Sequence, residues 1–457
     1  MTEDINPRQQ RALNFFAAGK NLLDFATASA LVYYLAFVAL VPAVLVGVIV
    51  FAGKLCGMLF SDFACSIFDK LSRKNTVYNI LSPVLTLIFG AALFFPVGVY
   101  GKVSKGFDAL TVVYPLVTLV LWQIVFEFSC ARCETCDASH RHIGQIWRSA
   151  GAVLALFAIP VGLIRDNTYG FLTGTAVLIL AGSVLFAVSL PLIKYPSRVE
   201  KTNLSISLKT LFKTTAAKKL TISILIGALY PLLWLAAMPV LTYRYASGNV
   251  AVALIYLGVF GGAYFTGTLI SAATFGSLEK KYELKKLYTD ARIITGISLA
   301  LVFVMYFAFN DVTKALCVTL TALCILAAGA AKAVSDLSVG ALCEIMDENL
   351  ARPFGKVKKA INVFSVAVSA LILGIALQIM GFTGMKTAEI NAFLSAGGNF
   401  LRAIEYASFI RGLFIVALII PALSSLLAII PVLGYSLDEE IKKGENLHND
   451  EKENLHA

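Results

Sequence analysis

An all-α membrane protein of twelve transmembrane helices, arranged as two six-helix bundles, is the fold class this sequence predicts. Three observations carry it. The composition is too apolar for a water-soluble globule. A succession of apolar stretches is long enough to cross a bilayer. Lysine and arginine crowd into every second connection.

The chain has 457 residues, 58% hydrophobic and only 14% charged, with a mean hydropathy of +0.79. A soluble domain carries about 25% charged residues, because a globule needs a polar coat. The bilayer is the solvent that tolerates this composition. The polar N-terminus, Met1 to Lys20, lacks a short apolar core followed by a small-residue cleavage site, so no signal peptide is expected.

A span needs roughly 20 apolar residues. The stretches are 22–41, 43–67, 79–100, 109–131, 149–164, 171–193, 220–242, 250–275, 292–310, 315–340, 360–382 and 406–433. The first two are nearly fused at Leu40-Val41-Pro42-Ala43, and the fifth is short.

With the N-terminus placed inside, the inside connections hold most of the bases, among them Lys70, Arg73 and Lys74, Arg132, Arg141 and Arg148, seven between 194 and 219, five between 279 and 292, and Arg352, Lys356, Lys358 and Lys359. The outside connections hold only Lys102, Lys105, Arg165, Arg244, Lys314, Lys386 and Arg402. This positive-inside bias agrees with an even number of spans, an inner-membrane location and both termini cytoplasmic. It accounts for the net charge of +10 through topology and lipid headgroups, without nucleic acid. The longest inside connection, 194–219, falls after the sixth span. The expected organisation is therefore a six-helix bundle at 1–193, a cytoplasmic linker at 194–219, a second bundle at 220–433 and a cytoplasmic tail at 434–457. Two such halves are the layout of transporters built from structural repeats.

Six segments carry a family likeness: Gly19-Lys20-Asn21, Leu45-Val46-Gly47, Asp69-Lys70-Leu71-Ser72-Arg73-Lys74, Arg148-Ser149-Ala150-Gly151, Glu344-Ile345-Met346-Asp347 and Tyr435-Ser436-Leu437-Asp438-Glu439-Glu440. In this order they make the chain resemble the major facilitator superfamily. Within it, the chain is similar to the glycoside–pentoside–hexuronide:cation symporters, the melibiose-permease group. The resemblance implies alternating-access transport, a cytoplasmic latch at Asp69, Arg73 and Lys74, and binding roles for Asn21 and Arg148. The departures bear on mechanism. The group's two cation-binding carboxylates of the second span fall on Gly57 and Ser61, with Asp62 one residue along. Its first-span aspartate falls on Asn21, its fourth-span aspartate on Cys130 and its eleventh-span lysine on Val363. Sodium coupling and melibiose-like specificity are therefore not expected to carry over.

Charge in the middle of a span costs at least about 2.5–3.5 kcal/mol, so such residues face a cavity or each other. Asp24, Lys54, Asp62, Glu127, Lys332 and Asp336 are the candidates. Asp24 lies three residues after Asn21, and Glu127 three before Cys130. The two spans run in opposite directions, so both acids are displaced one turn toward the outside. A cluster of Asp24, Glu127 and Lys54 lining the cavity is expected, against the alternative that Asp24 sits at the interface and Lys54 snorkels. Two acids beside one base leave a carboxyl free to exchange a proton, which suits proton coupling. Lys332 and Asp336, four apart, are expected to pair on one helix face. Trp122 and Trp234 are candidates for stacking on a sugar ring, against plain packing.

Cys130, Cys133 and Cys136, with His140 and His142, have ligand types that zinc accepts. The segment straddles a span end, and an ordinary helix end is the expectation, with no metal and no other cofactor. No nucleophile–base constellation points to an enzyme. The leading function is secondary transport of a small polar solute, a sugar or glycoside, coupled to protons, by a monomer in the lipid bilayer. A lysolipid or amphiphile transporter of the same fold is the first alternative. A metal-binding membrane sensor built on Cys130, Cys133 and Cys136 is the second.

Overall fold

The computed structural model describes residues 7–25, 30–39, 41–71, 75–95, 109–131, 169–193, 204–246, 249–308, 312–346, 348–381 and 404–433, with isolated residues between them (27, 146, 389–390, 392–393, 396 and 398). In chain order the helices are α1 (Pro7–Phe25), α2 (Leu31–Tyr33), α3 (Ala43–Leu71), α4 (Asn75–Leu93), α5 (Leu110–Ala131) and α6 (Tyr169–Ser189). Then come α7 (Leu204–Lys213), α8 (Thr215–Ile226), α9 (Pro231–Val240), α10 (Val250–Lys281), α11 (Leu284–Ala308), α12 (Lys314–Glu344), α13 (Glu348–Ile379), α14 (Ile404–Phe414) and α15 (Ile420–Leu427).

Among the described residues, ten helical segments are long and apolar enough to cross a membrane. They match ten of the twelve stretches. The first stretch is covered by α1, α2 and the π turn that follows them, and the fifth lies outside the described residues. All these helices are apolar around much of their circumference, as lipid-facing helices are. Exposed Ile80 and Ile88 on α4 and Ile255 on α10 are instances.

Three elements extend beyond the apolar stretches. α1 begins at Pro7, where proline's missing N–H costs nothing. Its polar first turns are anchored by buried Ala12, Leu13 and Phe16, and Phe16 stacks on Phe186 of α6 at 4.8 Å. α13 begins at Glu348, well before the apolar stretch, because Phe354, Val357 and Ile361 lay one apolar stripe on the core. Within the expected linker, Leu204–Lys213 is a helix rather than a loop. It buries Leu211 and exposes Ile206, Phe212 and Lys209, and it packs against α13.

The two halves repeat a local device. The α2 segment runs into a π turn at Tyr34–Val38, and α9 into a π turn at Leu241–Tyr245. In each half the next span starts five residues after the π turn ends, at Ala43 and at Val250. A third π turn, Ile415–Ile419, separates α14 from α15.

The halves meet where α3 crosses α13. A Cβ at Gly47 would lie 3.0 Å from the Ala370 carbonyl oxygen, and one at Gly374 would lie 2.5 Å from that of Ala43. Only residues without side chains permit this approach. The crossing lies near the 39–42 turn, and a single apolar core joins both halves there, from Leu31, Val46 and Ile49 to Leu373, Leu377 and Phe409. A second apolar core, around Leu220, Tyr288, Leu342 and Phe354, belongs to the second half alone. It lies at the opposite end. Among the described residues, the halves are therefore packed together at the 39–42 end and share no core at the other.

Candidate functional site

Lys54 sits in the middle of α3, with a side chain only 2% exposed, and its Nζ lies 3.3 Å from Asp24 Oδ1 on α1. The Asp24 side chain is 42% exposed, so packed helices do not enclose it. Just past α1, the Thr27 hydroxyl donates to the carbonyls of Leu23 and Asp24 at 3.0 Å. Asn21, one turn before Asp24, donates its amide to Ala17 O on its own helix at 2.9 Å.

Glu127 is buried on α5. One carboxylate oxygen accepts a hydrogen bond from Gln123 Nε2 at 3.0 Å, and the other is ion-paired with Lys359 Nζ. Lys359 belongs to α13, so this pair ties the first half to the second. Asp24 and Lys54 are brought together as the sequence suggested, whereas the ion-pair partner of Glu127 is Lys359. In the sequence, Lys359 ends a basic run with Arg352, Lys356 and Lys358 that reads as a cytoplasmic loop. It lies one turn before Val363.

Gly57 of α3 lies against Gln123 of α5. A side chain there would overlap that of Gln123. The space next to α3 is filled by the glutamine, which in turn holds Glu127.

The second half carries its own ion pair, Lys332 with Asp336 on α12, as the four-residue spacing suggests. Lys332 Nζ also lies 5.5 Å from the centroid of the Tyr230 ring, within range of a cation–π contact. Buried Arg292 of α11 donates to Gly227 O at 3.4 Å and lies 5.1 Å from the Tyr288 ring. Gly227 belongs to a 3₁₀ turn that interrupts the seventh span between α8 and α9. The neighbouring carbonyl of Ile226 accepts from the Ser424 hydroxyl at 2.6 Å, and that of Ala228 accepts from Ser365. Side chains of three other spans thus satisfy the backbone of this break, which lipid could not.

The two tryptophans differ. Trp122 is fully buried in the first half and stacks on Phe126 at 5.7 Å. Trp234 lines a cavity of about 80 Å³ in the second half, together with Tyr245, Phe260, Tyr264, Ile325 and Phe414. Of its lining, Trp234 alone is a residue the sequence singles out. Asp69 falls within α3, but its side chain and those of Ser61 and Asp62 are not among those described. Arg73, Lys74, Arg148, Cys133, Cys136, His140 and His142 lie outside the described residues. Cys130 is buried at the end of α5.

Among the described residues, three ion pairs thus stand inside the spans, and each removes the cost of a lone charge in the membrane. The pair between Glu127 and Lys359 differs in kind, because the two halves cannot separate along that line without breaking it.

No protein-family model matches this chain, and no curated protein matches it by sequence. Solved structures match by shape. A bacterial homologue of the human lysosomal transporter Spinster, inward-facing and unoccupied, superposes with a TM-score of 0.62 at 12% identity, covering 94% of this chain and 99% of that one. The major facilitator superfamily proton:xylose symporter XylE gives 0.55 at 12% identity, over 93% and 95%. The nucleoside transporter NupG gives 0.55 at 14% identity, over 86% and 99%. At such identities the likeness establishes the fold alone. The chain has the major facilitator fold.

Proposed function

We propose that this polytopic membrane protein is a secondary transporter that moves a small polar solute, of the sugar or glycoside class, by alternating access with proton coupling. The observation that carries the reading is the Glu127–Lys359 pair between the halves, with the partly exposed Asp24 paired to buried Lys54. A charge pair spanning two rocking bodies has two states, made and broken, and a proton on the acid releases it. Two bundles, 1–193 and 220–433, joined by 194–219 and followed by a tail at 434–457, are the bodies that rock. Arg148 and the Asp69, Arg73 and Lys74 latch keep the roles the resemblance implies. An amphiphile as solute is the second reading, favoured by the apolar chamber beside Trp234.

A thermal-shift screen of sugars, glycosides and amphiphiles on the purified protein supplies the solute for uptake assays. Asp24→Asn and Glu127→Gln should each abolish uptake driven by a pH gradient in proteoliposomes, while counterflow exchange persists. With Gly57 and Ser61 at the group's cation positions, no strict sodium requirement is expected. Uptake that demanded sodium and ignored the pH gradient would overturn the coupling scheme.

An inner-membrane location with both termini cytoplasmic follows from the loop charges. Lys209, exposed on α7, reports on it. A Lys209→Cys variant in a background lacking the native cysteines should react with membrane-impermeant maleimide only in inverted vesicles. Labelling in intact cells would reverse the topology.

A further inference from the structure

We propose that the aromatic chamber of the second half seats the apolar body of an amphipathic solute, whose polar end rests on the Lys332–Asp336 pair. The inference rests on the transporter reading and narrows its solute class.

The chamber's position comes first. Trp234 of α9, Phe260 and Tyr264 of α10, Ile325 of α12 and Phe414 of α14 form its walls. Protein interiors leave few voids larger than a water molecule, so a space of about 80 Å³ is a departure that needs a cause. The cause is visible in the backbone. Leu241 and Tyr245 on one side and Ala417 and Leu418 on the other line the chamber, and each pair belongs to a π turn. A π turn widens its helix and is frequent at functional sites. Two of them flank this one space.

The chemistry of the walls selects the occupant. Trp234 meets Tyr264 edge-on at 4.7 Å, and Tyr245 meets Phe260 edge-on at 5.3 Å. These contacts fix the rings as rigid faces. A bare sugar would bury its hydroxyls here with few partners, at a cost in desolvation. An alkyl group or a single aromatic ring would not.

The polar end is adjacent. Tyr264 packs its backbone against α12 at Gly329, where a Cβ would lie 2.5 Å from Tyr264 O, and Lys332 of the same helix lies over the Tyr230 ring. Ile325 in the chamber wall and Lys332 stand two turns apart on α12, about 10 Å of rise. The Asp336 side chain is 37% exposed and that of Lys332 19%, whereas Tyr230 and Tyr264 are buried. A molecule lying along α12 would therefore keep its polar end in the open space and its apolar end in the chamber.

The test is binding, so that it stands or falls apart from transport. The full chain in lipid nanodiscs is titrated with compounds sharing a 4-bromophenyl body and differing in polar end: the β-glucoside, the acetate and the benzyl alcohol. Bromine quenches tryptophan at short range. The expected result is saturable quenching by at least one compound. It should be absent in Trp234→Phe, which keeps Trp122 and Trp147. In Ala417→Phe, which fills the chamber, the affinity should weaken by about tenfold or more, the loss expected for a ring denied its burial. Ala237→Leu on the opposite wall gives the same reading should Ala417→Phe fail to fold. Quenching by all three compounds that rises linearly and is unchanged in the filled variants would place the bromine in bulk lipid and overturn the proposal, as would no quenching at all. Saturable quenching without uptake of any of the compounds would leave the chamber standing and count against the transporter reading.

Discussion

Replacing Lys359 with alanine is expected to be the most damaging single change in the spans. Glu127 is 6% exposed. Among the described residues, Glu127 without Lys359 keeps only the Gln123 amide, one hydrogen bond for a full charge. Removing one partner of a buried pair costs about 3–5 kcal/mol. The Lys359 side chain is 33% exposed, so its charge is partly screened and a loss below that range, about 2–3 kcal/mol, is expected. Glu127→Gln should cost less, because the ammonium left behind can turn toward the open space. The double variant Lys359→Ala with Glu127→Gln should recover much of the loss, giving a coupling energy of about 1 kcal/mol or more. Reversible unfolding of the four proteins in mixed micelles measures this. Uptake driven by a pH gradient should fall to background in all three variants. If the two single variants and the double all lie within about 0.5 kcal/mol of the parent, the pair between the halves has no energetic weight.

The spans were legible because a stretch of apolar residues leaves a mark that no other arrangement imitates. The missing pieces are those where the mark is diluted. The starts of α1 and α13 are helical only by virtue of stripes such as Ala12, Leu13 and Phe16, or Phe354, Val357 and Ile361, and charged neighbours hide a stripe from any average over a window. The same holds for α7. For the site, charge in the membrane is expensive, so Asp24, Lys54 and Glu127 stood out unaided. The partner of Glu127 did not. Lys359 follows Lys356 and Lys358 in a run that reads as a cytoplasmic loop, and only the fold brings α13 against the first half. Of the chamber only Trp234 stood out, since its other lining residues are ordinary residues of apolar spans, and π turns leave no trace in hydropathy.

Substituting Gly374 with leucine should shift the protein toward a state open at the 39–42 end. The packing at that end depends on α3 and α13 crossing at Gly47 and Gly374, where a Cβ on Gly374 would lie 2.5 Å from Ala43 O and 3.0 Å from the Gly47 backbone. These are backbone atoms, which cannot rotate away. Overpacking of this kind costs about 1–3 kcal/mol, and the cost falls only on the state in which the helices cross closely. A penalty on one of two states moves their ratio by about 5- to 150-fold. The opposite state, with the halves parted at this end and joined at the other, should therefore become visible without any solute. Spin labels on Ala39 and Ala251, beside the two matched π turns, report the gap. In the parent a single short distance should dominate, and in Gly374→Leu a longer one should take a large share. Gly47→Leu should act in the same direction, since it meets Ala370 O and the Leu371 backbone at 3.0 Å. A substitution that merely damaged folding would lower thermal stability without a second defined distance. Distance distributions identical to the parent in both variants would mean that this crossing does not hold the 39–42 end shut.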